Sequence, residues 1–386
     1  MSPPLDGLKV VDLSRVLAGP YAAMLLADMG ADVVKVERPE GDDTRKWGPP
    51  FVGPEGREES TYFLSTNRSK RSIVADLKDP DDLATIRALI AGADVLIENF
   101  RHGVMDRLGI GPADLEELNP GLVTLSITGF GADGPDADRT GYDQILQAEG
   151  GLMSFTGPAP GQPTKVGVPI ADLIAGTFGA MGVLAALRSR ERNGRGQVVS
   201  TSLLAGQIAI HGFQGTRWLV AGEVPEPAGN HHPTVCPYGL FPTADAPLVI
   251  AVGNDAIWRR FAPLVGIDAE DERFASNRDR LASRDELERL ISSVFSAHGV
   301  DHWLKRLAAA GIPAGEVKTL DRVYASEHVR HQGLVTRVDH VTLGEIELPG
   351  PPLRFSNSSP VAPLAPPTLG QHSEEIRAEV AEGRVW

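Results

Sequence analysis

GLKVVDLSRVLAGPYAAMLLADMGADVVKVE, residues 7–37, reads as one β-α-β unit. GLKVVDLS (7–14) is a near-continuous apolar run, the pattern of a strand buried on both faces. Gly19-Pro20 opens a helix rich in Ala, Leu and Met, and Gly30 closes it, Pro at the start and Gly past the end. ADVVKVE (31–37) then gives a second strand. The same cycle continues outward. RSIVADL (71–77) is a strand, Asp79-Pro80 opens a helix, and GADVLIEN (92–99) is a strand. A short helix over Pro112–Leu118 and the strand LVTLSIT (122–128) follow. GADV occurs at 30–33 and again at 92–95, so each Gly is expected to end a helix in the left-handed conformation. Repeated β-α-β units with right-handed crossovers make a parallel sheet, and the fold class is α/β.

The chain has 386 residues, enough for two or three domains. A helix pattern over 200–221 runs into the Pro-rich EVPEPAGNHHPTVCPYG (223–239), which marks a boundary. A second unit follows, with the strand PLVIAVG (247–253) and helices near 255–265, 284–297 and 300–310. The division expected is a large domain from 1–200 and 330–386, a linker helix over 201–224 and a small domain over 225–329. The closing segments LVTRVDH and GEIELPG, and a helix from Ser373, are too small to fold alone and are expected to pack back on the first domain.

With 51 acidic against 37 basic side chains the net charge is −14, which argues against a nucleic-acid partner. One cysteine, Cys236, excludes internal disulfides and multi-cysteine metal sites, and fits a cytoplasmic protein. The N-terminus has no basic and apolar leader pattern. The most apolar stretch, 173–187, is shorter than the ~20 residues of a membrane span.

Four features compete as sites. GFGADG (129–134) has dinucleotide-fingerprint spacing, but Pro135 and polar residues follow where a helix should open, so it reads as a glycine loop at a strand end. A basic island of Arg38, Arg45, Lys46, Arg68, Lys70, Arg71 and Lys78 is either a solvated face or a phosphate site. His231-His232 beside Cys236 lacks the further ligands a metal needs, and reads as a structured loop. Asp172 follows strand-like KVGVPI (165–170) and precedes an apolar helix in which Gly176, Gly179 and Gly182 leave a stripe free of side chains. A carboxylate there is either a plain N-cap or a functional group at the mouth of a buried helix.

The blocks LDGLKVVDLSRVLAGPYAAMLLADMGADVVKVERPEGDDTR, NRSKRSIVADLK, VLIENFRHGVMDRLG and VGVPIADLIAGTFGAMGVLAALRSRERNGRGQVV resemble, in order, the class III CoA-transferase family. The resemblance implies an interlocked homodimer, each subunit with a large Rossmann-like, CoA-binding domain built from both chain ends and a small domain. It makes Asp172 the catalytic carboxylate, which takes CoA from an acyl-CoA as an aspartyl-CoA thioester and passes it to a carboxylic acid. CoA contacts then fall on Ala18, Arg38, Ala75 to Lys78, Asn99, Phe100 and Arg107. Leu17, Tyr142 and Asp143 line the substrate. Acyl-CoA and the acid are substrates, with no tightly bound cofactor and no metal. Formyl-CoA transferase carries Gln at the position of Leu17 and a glycine run in place of GNHHPTVCPYG, so oxalate is disfavoured and the loop is closer to members acting on succinate-type acids. The alternative is an α-methylacyl-CoA racemase of the same fold. Those enzymes place His immediately before the Asp of the GYD segment; here Tyr142 stands there, and a phenol of pKa ≈ 10 is a poor base at neutral pH.

Overall fold

The computed structural model describes residues 2–359 and 361–383. Its centre is a six-stranded sheet of β1 (Lys9–Asp12), β2 (Asp32–Glu37), β3 (Lys70–Val74), β4 (Val95–Glu98), β5 (Val123–Thr128) and β6 (Gln197–Ser202). The spatial order is β3-β2-β1-β4-β5-β6, with each neighbouring pair parallel. Val10 stands level with Val33 on one side and Val95 on the other, all fully buried, so the apolar runs are covered on both faces. The order reverses at β1 and β4, and in sheets of this kind the crevice beyond the strand ends at that point receives ligands.

β6 is not anticipated, and its last residues, 200–202, fall where the expected helix begins. GQVVSTS is β-branched, and as the edge strand it leaves Val198 50% exposed, so no continuous apolar run marks it. The expected linker helix over 201–224 is therefore two shorter ones, α6 (Leu203–Ala209) and α7 (Gly212–Ala221). Ser202 caps α6 by accepting from the Ala205 N–H at 3.0 Å, and the chain breaks at Gly212, where φ is +54°. KVGVPI forms no strand: the Val166 N–H donates to the Gln147 side chain, and Pro169 has no N–H to give.

α1 (Ala18–Asp28) and α5 (Ile170–Asn193) cover one face of the sheet. Gly30 ends α1 at φ +106° as expected, but α2 (Pro80–Gly92) continues through Gly92 and leaves by an extended Ala93. The glycine stripe of α5 works in two ways. A Cβ on Gly176 would stand 2.5 Å from the Ala18 carbonyl oxygen, so backbone meets backbone there. At Gly179 and Gly182 the near neighbours are side chains of the sheet, Leu125 and Val199. α5 is long and apolar enough to cross a membrane, yet half of its most apolar window is buried within the fold.

The C-terminal helix Ser373–Ala381 docks along β3. Its leading His372 N–H donates to the Ser72 carbonyl at 2.9 Å, Ser373 Oγ accepts from the Val74 N–H at 3.0 Å, and Arg377 pairs with Asp82 at 2.6 Å. LVTRVDH and GEIELPG form an antiparallel hairpin, Val335–His340 against Gly344–Pro349. One compact unit comprises, among the described residues, 2–152, 166–223, 327–359 and 361–383. The other, 153–165 with 224–326, carries a three-stranded antiparallel sheet and a core of Trp258, Phe261, Phe274, Phe295 and Trp303. The segment 153–165 thus belongs to the second unit although it precedes α5.

Candidate active site

The β1–α1 loop, the end of β4 and the first turn of α5 enclose a cavity of 360 Å³. Its wall includes Arg15, Ala18, Asn99, Phe100, Arg107, Tyr142 and Asp172. A second cavity of 570 Å³ carries Arg38 and the run Ala75 to Lys78. Arg15, Phe100, Arg101 and Val104 belong to both walls, so these residues form a neck between the two spaces. A larger cavity of 720 Å³ along β4, β5 and β6 holds neither Asp172 nor the basic residues Arg38 and Lys78.

Asp172 is not an N-cap. The helix starts at Ile170, Pro169 stands before it with no capping side chain, and Asp172 is in the first turn. The capping work is done by Asp143 from α4 (Asp143–Glu149): its Oδ1 accepts from the Ala171 N–H at 2.8 Å, and its Oδ2 accepts from the buried Gln147 amide at 2.7 Å. Asp143 therefore supports the site from behind rather than lining it. Among the described residues, no hydrogen bond or ion pair reaches the Asp172 carboxylate. Burial, and then the nearby charge of Asp143, push its pKa up to about 7. A carboxylate so poorly solvated is a stronger nucleophile than one in water, and at neutral pH much of it is ionised.

Leu17 does not line the cavity. It is 3% exposed and serves as the backbone N-cap of α1, its carbonyl accepting from the Tyr21 N–H at 2.8 Å. The basic island dissolves into ion pairs. Arg68 lies on Asp28 at 2.5 Å, Lys70 on Asp12 at 2.9 Å, Arg71 on Asp32 and Glu379 at 2.9 Å, and Arg45 on Glu37 at 2.7 Å. Arg38 and Lys78 are the members of the island that line the second cavity. Tyr62, absent from the sequence reading, is within reach of the charge of Asp172. Burial, then the charges of Asp172 and Asp143, raise its pKa, so its hydroxyl keeps its proton. No spacing rule connects it to Asp172; the signal is spatial.

The other sequence features take bland roles. GFGADG is a loop after β5, with Gly131 and Gly134 at positive φ and no helix before Asp143. His231 Nδ1 lies 3.0 Å from Glu288 Oε1. No cluster of metal-ligating side chains occurs among the described residues. Cys236 is buried, and burial pushes its thiol up to about 11, unsuited to nucleophilic work.

An unpaired, desolvated carboxylate at the ligand crevice of a parallel α/β sheet, next to a cation-bearing cavity, has the character of a functional site. The chain belongs to CoA-transferase family III, whose model matches residues 5–373. It is 42% identical over 392 residues to the succinate–glutarate CoA-transferase of Agrobacterium fabrum, covering 98% of this chain and 96% of that one. It is 38% identical to the human succinyl-CoA:glutarate CoA-transferase, over 98% of this chain and 86% of that one. Among solved structures, a CAIB/BAIF family protein from Brucella suis matches with a TM-score of 0.89 and 40% identity, over 98% of this chain and 100% of that one.

The raised pKa of Asp172 has a stability consequence. The folded chain holds this proton up to about pH 7, whereas the unfolded chain releases it near 3.9. Ionising Asp172 therefore costs folding stability progressively as the pH rises from about 4 to about 7, and fully above that. Asp172→Asn carries no such cost. Its melting temperature should exceed that of the native chain at pH 8, with the gap closing as the pH falls toward 4. A gap independent of pH would show that Asp172 is ordinarily solvated.

Proposed function

We propose that this CoA-transferase moves CoA from an acyl-CoA to a succinate-type dicarboxylic acid, with Asp172 as the covalent relay. The observation that carries the reading is the Asp172 carboxylate, without a partner and desolvated, in a wall it shares with Ala18, Asn99, Phe100 and Arg107. A carboxylate oxygen attacks the thioester carbonyl carbon and CoA leaves as thiolate, giving a mixed anhydride on Asp172. The thiolate attacks the Asp172 carbonyl carbon and expels the donor acid, giving the aspartyl-CoA thioester. The acceptor carboxylate attacks that thioester, and the released thiolate takes the acceptor acyl group. Bonds made and broken balance, and no net proton transfer is required. The dicarboxylate class is supported by the relatives' names and by the GNHHP segment. The racemase reading has no support beyond the shared fold: Tyr142 stands where it needs a histidine, and the relatives are named transferases.

CoA itself would extend from Asp172 through the neck into the Rossmann-like domain's second cavity, where Arg38 and Lys78 meet its phosphates. The working form would be an interlocked homodimer. Trp218, Leu219 and Val220 on α7 are 52%, 82% and 81% exposed, an apolar surface that a second copy would cover.

Mixing the enzyme with succinyl-CoA and trapping with hydroxylamine or borohydride should modify the peptide carrying Asp172, and Asp172→Asn should show no adduct and lose on the order of 10³-fold or more in turnover. Absence of an adduct, with α-deuterium exchange into a 2-methylacyl-CoA, would instead establish the racemase. Arg38→Ala or Lys78→Ala should raise KM for acyl-CoA and leave kcat largely intact, because phosphate binding serves ground and transition states alike; an unchanged KM in both removes these residues from the CoA site. Sedimentation from micromolar to low nanomolar concentration should give a dimer throughout. A folded monomer on dilution would exclude interlocking.

A further inference from the structure

The β1–α1 loop holds a conformation it would not adopt alone. Val16 has φ +71°, in the left-handed region that a β-branched side chain avoids. Side chains from three other segments fix it. Lys35 Nζ donates to the Ser14 carbonyl at 2.9 Å, and the Val16 N–H donates to the Asp42 carboxylate at 3.3 Å. Between these, Asn99 grips Arg15 from both sides: the Arg15 N–H donates to Asn99 Oδ1 at 2.9 Å, and Asn99 Nδ2 donates to the Arg15 carbonyl at 2.7 Å. Asn99 follows directly on β4, and the next residue is tied down too, its N–H donating to Glu98 Oε2 at 2.7 Å. The grip is therefore mounted on the rigid end of a central strand.

Arg15 is one of the four residues shared by the walls of the two cavities. The same loop leads into α1, whose Ala18 carbonyl abuts Gly176, one helical turn beyond Asp172. We propose that Asn99 is a positioning residue: by holding both backbone groups of Arg15 it sets the neck between the cavities, and hence where the thioester carbonyl stands relative to Asp172. Its amide serves Arg15 rather than CoA. The inference rests on the transferase reading given above.

The test uses full-length Asn99→Ala and native enzyme. CoA affinity is measured by calorimetry, and acylation by the rate at which the hydroxylamine-trappable adduct forms at saturating succinyl-CoA. A misplaced reacting carbon should slow acylation on the order of 10²-fold, the scale of a 1 Å displacement, while the Kd for CoA changes less than about threefold, since binding and chemistry separate in this way only when ground-state contacts survive. A raised Kd with unchanged saturating acylation would make Asn99 a direct CoA contact and overturn the proposal, as would no change in either quantity. Asn99→Asp keeps the shape and the acceptor for the Arg15 N–H but loses the donor to its carbonyl. It carries the test if the alanine variant does not fold: slowed saturating acylation supports the proposal, and a native rate overturns it. Failure of the native enzyme itself to form an adduct refutes the transferase reading instead, and is seen before any variant is compared.

Discussion

Lys35 and Asp42 meet at 2.9 Å, as do Lys70 and Asp12, with none of the four side chains exposed. Burial alone would raise both acids, but Lys70 and Lys35 outweigh it at Asp12, and Lys35 brings Asp42 down to about 2. Burial carries Lys70 down to about 8 against the pull of Asp12. Such pairs add little net stability, yet removing one partner costs about 3–5 kcal/mol because the other charge is stranded. What the cluster does is geometric. Lys70 also donates to the Pro20 carbonyl at 2.8 Å, and Lys35 to that of Ser14 at 2.9 Å, so the ions hold the start of α1 and the loop before it. α1 packs on α5 at Gly176, and α5 carries Asp172. The position of the Asp172 carboxylate depends on this chain of contacts.

The same helix terminus shows how two carboxylates are given different work. Asp143 takes the Ala171 N–H and the Gln147 amide, groups that stabilise its charge. Asp172, two residues into the helix, receives neither, and faces the charge of its neighbour in a poorly solvated place. The two acids are thus held differently, Asp143 by hydrogen bonds and Asp172 by none. Burial, then the charges of the two carboxylates, raise the pKa of Tyr62, which stays neutral.

Much of this was legible in the sequence, for physical reasons. The four inner strands, β2, β1, β4 and β5, are dense in Val, Ile and Leu because both faces are covered, and the helix boundaries at Pro80 and Pro112 carry their own signals. Asp172 stood out by its place before a glycine-striped helix. The role of Asp143 could not be read: its partner Gln147 is one turn along the same helix, but Ala171, whose N–H it caps, is brought to it by packing of α4 on α5. β6 escaped because an edge strand lacks a buried apolar run. The basic island misled most. Arg68 and Asp28 are 40 residues apart, and Lys70 and Asp12 are 58 apart, so nothing local shows that those cations are already spent.

That pairing bears on how an acidic protein takes an acidic ligand. A net charge of −14 repels CoA at long range, but at physiological salt the Debye length is about 8 Å, so most of that charge is screened from any one phosphate. Local cations decide. Lys78 forms no ion pair among the described residues and stands exposed, while Arg38 is partly turned aside, its guanidinium on Asp43 and its Nε on the Gly41 carbonyl at 3.1 Å. Asp43 is also 3.6 Å from Arg15, at the neck. Arg38 in the second cavity and Arg15 beside the first are thereby linked through one shared carboxylate.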